Sequence, residues 1–271
     1  MKLSELYRYT WFYPFAVLVI MLCAYAIQVF SMGFYWDDWQ AVYLTNLGDP
    51  SVWWNYFLYD RPISAWTYLL TAPVLGNVPL RWQLFTLVVR WAGVLCFYGV
   101  LVGLWPQRVR SARWAGLFLA VYPGFTQQWV SNAYSQHFLT YLLFTFSMWL
   151  MVLCVRRREC RGVLMPLSVL SALLSMLTME YFVTLELLRP LVLWFLLRTD
   201  GDNLRTTLKR LALYWLPYLL ALAFFGVYRF SIYPSISPNP ESNAPSLLLG
   251  LASAPLDSIL RLFEIALQDF I

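Results

Sequence analysis

The chain has 271 residues, of which 61% are apolar, 19% aromatic and 12% charged, with a mean hydropathy of +0.60 and a formal charge of +5. So few charges could not cover the surface of a water-soluble domain, and 14 Trp, 18 Tyr and 19 Phe exclude an unfolded tail. The composition implies an all-α integral membrane protein, a polytopic bundle forming one transmembrane domain over residues 1–271. Its basic residues cluster between apolar runs and form no water-facing surface interleaved with aromatics, which excludes nucleic acid as a partner.

Crossing ~30 Å of hydrocarbon takes roughly 17–25 helical residues. Seven stretches meet or approach that length, at 11–31, 82–105, 114–131, 136–155, 163–179, 181–197 and 211–230. In the first, Ala24-Tyr25-Ala26 resembles a signal-peptide cleavage site, but the apolar run continues to Phe30, so we read an uncleaved anchor. Residues 32–81 follow as a long loop rich in Trp and Tyr. It predicts one or two short helices broken at Gly48-Asp49-Pro50, with Trp36, Trp39, Trp53, Trp54 and Trp66 suited to the headgroup layer. Pro62 fits the first turn of a further apolar helix over 63–75, stopped by Gly76-Asn77.

The fifth and sixth stretches are short and meet at Glu180, as a re-entrant pair or with one of them tilted. Residues 231–258 are rich in Ser, Pro and Asn and predict a loop. Residues 259–271 predict an amphipathic helix with Ile259, Leu262, Phe263, Ala266 and Leu267 on one face. The cysteines Cys23, Cys96, Cys154 and Cys160 have neither metal-ligand spacing nor a disulfide framework.

Charge sets the expected orientation. With the N-terminus cytoplasmic, the inner segments hold 13 of the 19 Lys and Arg, and the outer segments hold nine of the 14 Asp and Glu. Among the outer acids, Asp37-Asp38 sits between Trp36 and Trp39. Adjacent carboxylates among aromatics at a membrane surface either shift pKa or find a cation or proton to share. They could serve as a general base or as metal ligands, and equally as a helix N-cap. Glu180, at the junction of two apolar segments, and His137, the single histidine, lie at the same expected depth. Arg90, Glu186 and Arg189 fall inside expected spans. Glu186 and Arg189 are three apart and predict a structural ion pair, with a proton or ion path as the rival.

This arrangement resembles the GT-C glycosyltransferases, integral membrane enzymes that use lipid-phosphate-linked sugars, and most of all the protein-mannosyltransferase and aminoarabinose-transferase type. The residues that carry the resemblance are Tyr35-Trp36-Asp37-Asp38-Trp39 as the acidic motif, Asp60-Arg61-Pro62-Ile63 as an Arg-Pro step, Tyr122-Pro123 with Gln127-Gln128-Trp129 and Ser131-Asn132, and Leu177-Thr178-Met179-Glu180. Met179 stands where many relatives have lysine. The resemblance implies sugar transfer from a polyprenyl-phosphate donor in the membrane lipid to a hydroxyl at the extracytoplasmic face. Asp37 would be the general base, with Asp38 orienting it or sharing its proton. The chemistry would need an arginine on the phosphate, because a guanidinium makes bidentate contacts and stays charged. The outer candidates are Arg61, Arg81 and Arg229, with a salt bridge to Asp60 as the other reading of Arg61 and a snorkelling anchor as that of Arg229. His137 and Glu180 would bind substrate, and Asp37 with Glu180 could ligate a divalent metal ion. The alternatives from other classes are a non-catalytic scaffold with the same fold and a transporter.

Overall fold

A computed structural model describes residues 12–27, 29–198, 203–236 and 253–268. Every regular element among them is helical. In chain order they are α1 (Phe12–Tyr25), α2 (Asp38–Leu47), α3 (Ser51–Phe57), α4 (Ala65–Leu75), α5 (Pro79–Leu104), α6 (Val109–Ala120), α7 (Ser135–Arg156), α8 (Arg161–Thr178), α9 (Leu188–Leu197), α10 (Leu204–Val227) and α11 (Pro255–Gln268). Among the described residues four helices are long and apolar enough to cross a membrane: α5, α7, α8 and α10, the last continuing to Ile236. They coincide with the stretches expected at 82–105, 136–155, 163–179 and 211–230.

The other three expected stretches are shorter or broken, each for a local reason. α1 has 14 residues, about 21 Å of helix at ~1.5 Å per residue. The stretch expected at 114–131 ends as α-helix at Ala120. Pro123 lacks an N–H and biases the preceding residue away from helix, and Pro123–Trp129 tightens into 3-10 turns. The stretch expected at 181–197 opens as two 3-10 turns, Glu180–Phe182 and Thr184–Leu187. Only then does the ten-residue α9 begin, with Pro190 in its first turn, where a missing N–H costs least.

The predicted breaks at Gly48 and Gly76 are where α2 and α4 stop. Gly48 caps α2 with φ +70°, a left-handed conformation that an L side chain resists. Residues 231–236, expected as the start of a loop, are helical. α10 runs through a π turn at Tyr228–Ile232 into a last helical turn, Tyr233–Ile236. Pro234 cannot donate back along the ladder, and the ladder widens just ahead of it. Residues 237–252 of that loop, and the side chains of Ile259, Leu262, Phe263, Ala266 and Leu267, lie outside the described residues. So do residues 1–11, with Lys2 and Arg8.

α5 and α7 form the axis of the bundle. Gly93, Gly99 and Gly103 let them approach, because a methyl on each would overlap Tyr141, Trp149 and Val152 of α7 respectively. Gly103→Ala is expected to destabilise the protein by about 1–3 kcal/mol, since the branched Val152 cannot swing away. Gly162→Ala, with open space around it, should be neutral or slightly stabilising. Thermal unfolding of the two variants in detergent checks the contrast.

α1 packs Tyr13, Val17 and Met21, one helical face, against Leu87 and Val94 of α5 and Ala120 of α6. α7 and α8 meet through a reciprocal serine pair. Ser147 Oγ donates to the Ser168 carbonyl at 2.6 Å, and Ser168 Oγ to the Ser147 carbonyl at 2.7 Å.

The three deep charges are held inside this frame. The Arg189 guanidinium donates to both oxygens of Glu186 and, at 3.0 Å, to Ser147 Oγ, and lies 4.4 Å from the Tyr218 ring centroid. Arg90 donates to the Ala120 carbonyl and to Gln128 Oε1 (3.3 Å), 3.9 Å from the Tyr25 ring. The expected Glu186–Arg189 pair is therefore present.

Candidate functional site

At one end of the bundle the turn before α2 sorts its two aspartates. Trp36 has φ +46°, a region bulky residues rarely adopt, and its ring meets Trp129 edge-on at 4.9 Å. After this turn Asp37 faces outward and is exposed, while Asp38 is fully buried. Asp37 occupies the N-cap position of α2, yet its side chain makes no capping hydrogen bond. Asp38 is the structural member. Its Oδ1 accepts the Ala133 N–H at 2.8 Å and its Oδ2 the Tyr35 N–H at 3.3 Å, tying the loop to the segment before α7.

Burial raises the Asp38 carboxyl above the ordinary aspartate range; the backbone donors offset part of this and Asp37 adds to it. The folded state thus holds that proton more tightly than the unfolded chain. This contribution to stability is present at acid pH and is lost as pH rises through the raised value. Asp38→Ala leaves the Ala133 and Tyr35 donors without their acceptor and is expected to cost about 1–3 kcal/mol at neutral pH. Chemical denaturation of the two proteins at pH 7 measures it. An unchanged midpoint would show that Asp38 is no anchor.

A cavity of about 610 Å³ opens beside this turn. Its lining includes Asp37, Gln40, Tyr56, Asp60, Arg61, Tyr134, His137, Met179 and Tyr181, together with apolar and aromatic side chains of α2, α3 and α4. Sequence expectation placed the acidic pair, His137 and Glu180 at one depth, with Arg61 in the same loop as the pair. Asp37, Arg61 and His137 are on the cavity wall, whereas Glu180 and Arg229 do not line it. Neither does Asp38. Tyr56 donates to Gln40, bridging α3 to α2 at the rim. Burial, then the nearby charges of Asp37 and Asp60, push the Tyr56 hydroxyl up from its ordinary value.

The His137 ring lies between two tilted tyrosine rings, 4.6 Å from the Tyr134 centroid and 5.1 Å from that of Tyr181. Its Nδ1 is buried without a hydrogen-bond partner among the described residues.

Arg61 links the cavity to Glu180 and Arg229. Arg61 Nε donates to Glu180 Oε2 at 2.9 Å, and Arg229 Nε lies 3.1 Å from Glu180 Oε1. Asp60 is the second tie: its carboxylate is 3.0 Å from Arg61 Nη1, and its carbonyl accepts from Arg229 Nη1 at 3.2 Å. Burial would lower the Arg61 pKa, but Glu180 and Asp60 outweigh it and raise it on balance. Arg229 reaches this point because the π turn carries it to the end of α10. There it lies over the Tyr233 ring at 4.5 Å, while Tyr233 Oη donates to the Tyr59 carbonyl at 2.8 Å.

The expectation that Asp37 and Glu180 share a metal ion does not fit this donor set. Each Glu180 oxygen is already engaged by a guanidinium, so a cation would have to displace two arginines. No group of three or more potential metal ligands occurs among the described residues. Sequence reasoning also passed over Tyr134 and Tyr181 as walls of the site. The signals were there: Tyr134 is three residues before His137, and Tyr181 follows Glu180 directly.

Compared with protein-family models, curated proteins and solved structures, the chain matches none of them.

Proposed function

We propose that the chain is a multi-pass membrane glycosyltransferase of the GT-C type. It moves a sugar from a polyprenyl-phosphate donor to a hydroxyl acceptor at the extracytoplasmic face, with its N-terminus cytoplasmic. About seven crossings follow if α1, α6 and α9 complete theirs with the turns beside them. One observation carries the reading: an exposed carboxylate, Asp37, shares one cavity with an arginine that is paired with the Glu180 and Asp60 carboxylates and backed by a second arginine on Glu180.

Those parts suit the chemistry. The acceptor hydroxyl gives its proton to the Asp37 carboxylate as its oxygen attacks the anomeric carbon. The bond from that carbon to the phosphate oxygen breaks with inversion, and its electron pair leaves on the polyprenyl phosphate. The charge then growing on the phosphate is met by Arg61 and Arg229, whose forked N–H groups match phosphate oxygens. His137 and its flanking tyrosines offer an aromatic wall for a sugar ring. The transport reading draws less support, since Arg90, Glu186 and Arg189 are each engaged by nearby groups and do not line this cavity.

The test is ³¹P NMR on the protein reconstituted in vesicles with polyprenyl-phosphate pentose, hexose and amino-hexose donors. Acceptor-dependent release of polyprenyl phosphate is expected with one sugar class. No release from any of the three, with hydroxyl acceptors on glycan, lipid and peptide, would sink the reading.

A further inference from the structure

Two guanidinium groups do not gather in a partly buried place unaided, because like charges repel and each loses hydration. Here three distant segments deliver them to one point: Arg61 from the turn before α4, Arg229 from the π turn ending α10, and Glu180 from the 3-10 turn after α8. Glu180 is the only carboxylate whose two oxygens go to two different arginines, at 2.9 and 3.1 Å, among the described residues. Both contacts are made by Nε and both ties to Asp60 by Nη1, so the Nη2 nitrogen of each arginine takes no part in these bonds. The two positive charges are balanced by Glu180 and Asp60. The cluster is assembled without net charge while N–H groups stay available for an incoming oxyanion.

Resting on the transferase reading above, we propose that Glu180 is a positioning residue for a phosphate seat. It holds Arg61 and Arg229 together so that both meet the phosphate of a lipid monophosphate, and it touches neither the sugar nor the reacting carbon. The backbone around it suits this role. Met179 is extended, with φ −153° and ψ +139°, and ends α8, so the Glu180 side chain leaves from a turn and not from a packed helix face. The flanking residues Met179 and Tyr181 line the cavity, which brings the bridge up to its wall. Tyr181 also lies under the Arg61 guanidinium, 5.6 Å from its carbon, limiting where that fork can turn.

Glu180→Gln is the discriminating change. The amide oxygen can still accept from one arginine, but the amide nitrogen presents donors to the other, so one arm of the bridge opens with little change in volume. The experiment is equilibrium binding to the full chain in detergent, by native mass spectrometry, with farnesyl phosphate, farnesol and inorganic phosphate as probes.

Wild type is expected to bind farnesyl phosphate more tightly than farnesol. Glu180→Gln should weaken farnesyl phosphate by about 10- to 100-fold, leaving farnesol binding and the unfolding temperature unchanged. Arg229→Gln, which removes the far arm and spares Glu180, should reproduce that selective loss. Competition by inorganic phosphate with the same dependence on Glu180 would also support the seat and would name free phosphate as a ligand. Farnesyl phosphate affinity within twofold of wild type in Glu180→Gln, or an equal loss of farnesol binding in both variants, overturns the proposal. Because no acceptor or sugar is present, the phosphate seat can stand where transfer fails. Equally, a Glu180→Gln protein that binds as wild type leaves transfer at Asp37 untouched.

Discussion

Asp37→Asn is expected to lower sugar transfer by about 10²–10⁴-fold, the usual contribution of a positioned general base, with little change in donor affinity or unfolding temperature. The expectation of an intact fold follows from how the turn divides its two carboxylates. Asp37 is exposed and makes no capping bond, so an amide in its place removes no structural contact. Asn keeps the shape and accepts hydrogen bonds, but it takes up no proton from an acceptor hydroxyl at neutral pH. The loss should therefore fall on kcat, read as the rate of polyprenyl phosphate appearance at saturating donor. Full turnover in Asp37→Asn would shift the base to Asp60, the other carboxylate on the cavity wall. Asp38→Ala should instead lose stability, so the two neighbours give opposite signatures.

Periodicity and breakers made much of the fold legible. Long apolar runs gave α5, α7, α8 and α10, and Gly48 and Gly76 marked where α2 and α4 stop, because each stop needs a positive φ. The meeting of Asp37 and Arg61 with His137 was legible because the first two share one loop and His137 begins a long apolar helix at the matching end; Glu180, expected beside them, does not line the cavity.

Other features depend on partners far away in sequence. Which aspartate turns inward is decided by the Ala133 N–H, 95 residues on, and by the strained Trp36. The sequence leaves Glu180 needing a partner, whether a metal shared with Asp37, an arginine or a substrate hydroxyl; the fold gives each of its oxygens an arginine, one from 119 residues before it and one from the turn after α10. Gly99-Val100-Leu101-Val102-Gly103, a spacing that brings helices close, was present in the sequence and passed over; its effect shows only against Trp149 and Val152. Hydropathy alone likewise ran the third stretch past Pro123, where α-helical bonding has given way to 3-10 turns, and the sixth through the 3-10 turns that precede α9.

The largest expected effect on stability lies away from the site, at Arg189. Its side chain is fully buried, and Glu186 is nearly so. Arg189→Met leaves the Glu186 carboxylate without its cation, and Ser147 Oγ loses a donor. Breaking a buried pair from one side typically costs about 3–5 kcal/mol, because the remaining charge is neither hydrated nor paired. The Tyr218 ring also loses the guanidinium stacked on it, and the contact that joins α9 to α7 and α10 goes with it. Glu186→Gln with Arg189→Met removes both charges and should recover most of that loss, since desolvating the pair offsets much of its attraction. The two variants therefore separate a structural pair from an ion path. With a structural pair, unfolding in detergent falls sharply in the single variant and returns in the double, while vesicles of wild-type protein show no proton or cation flux. A double variant as unstable as the single one would mean that Glu186 and Arg189 act separately. Flux lost in both would mean that the charges conduct, and that the closed contacts around them open during function.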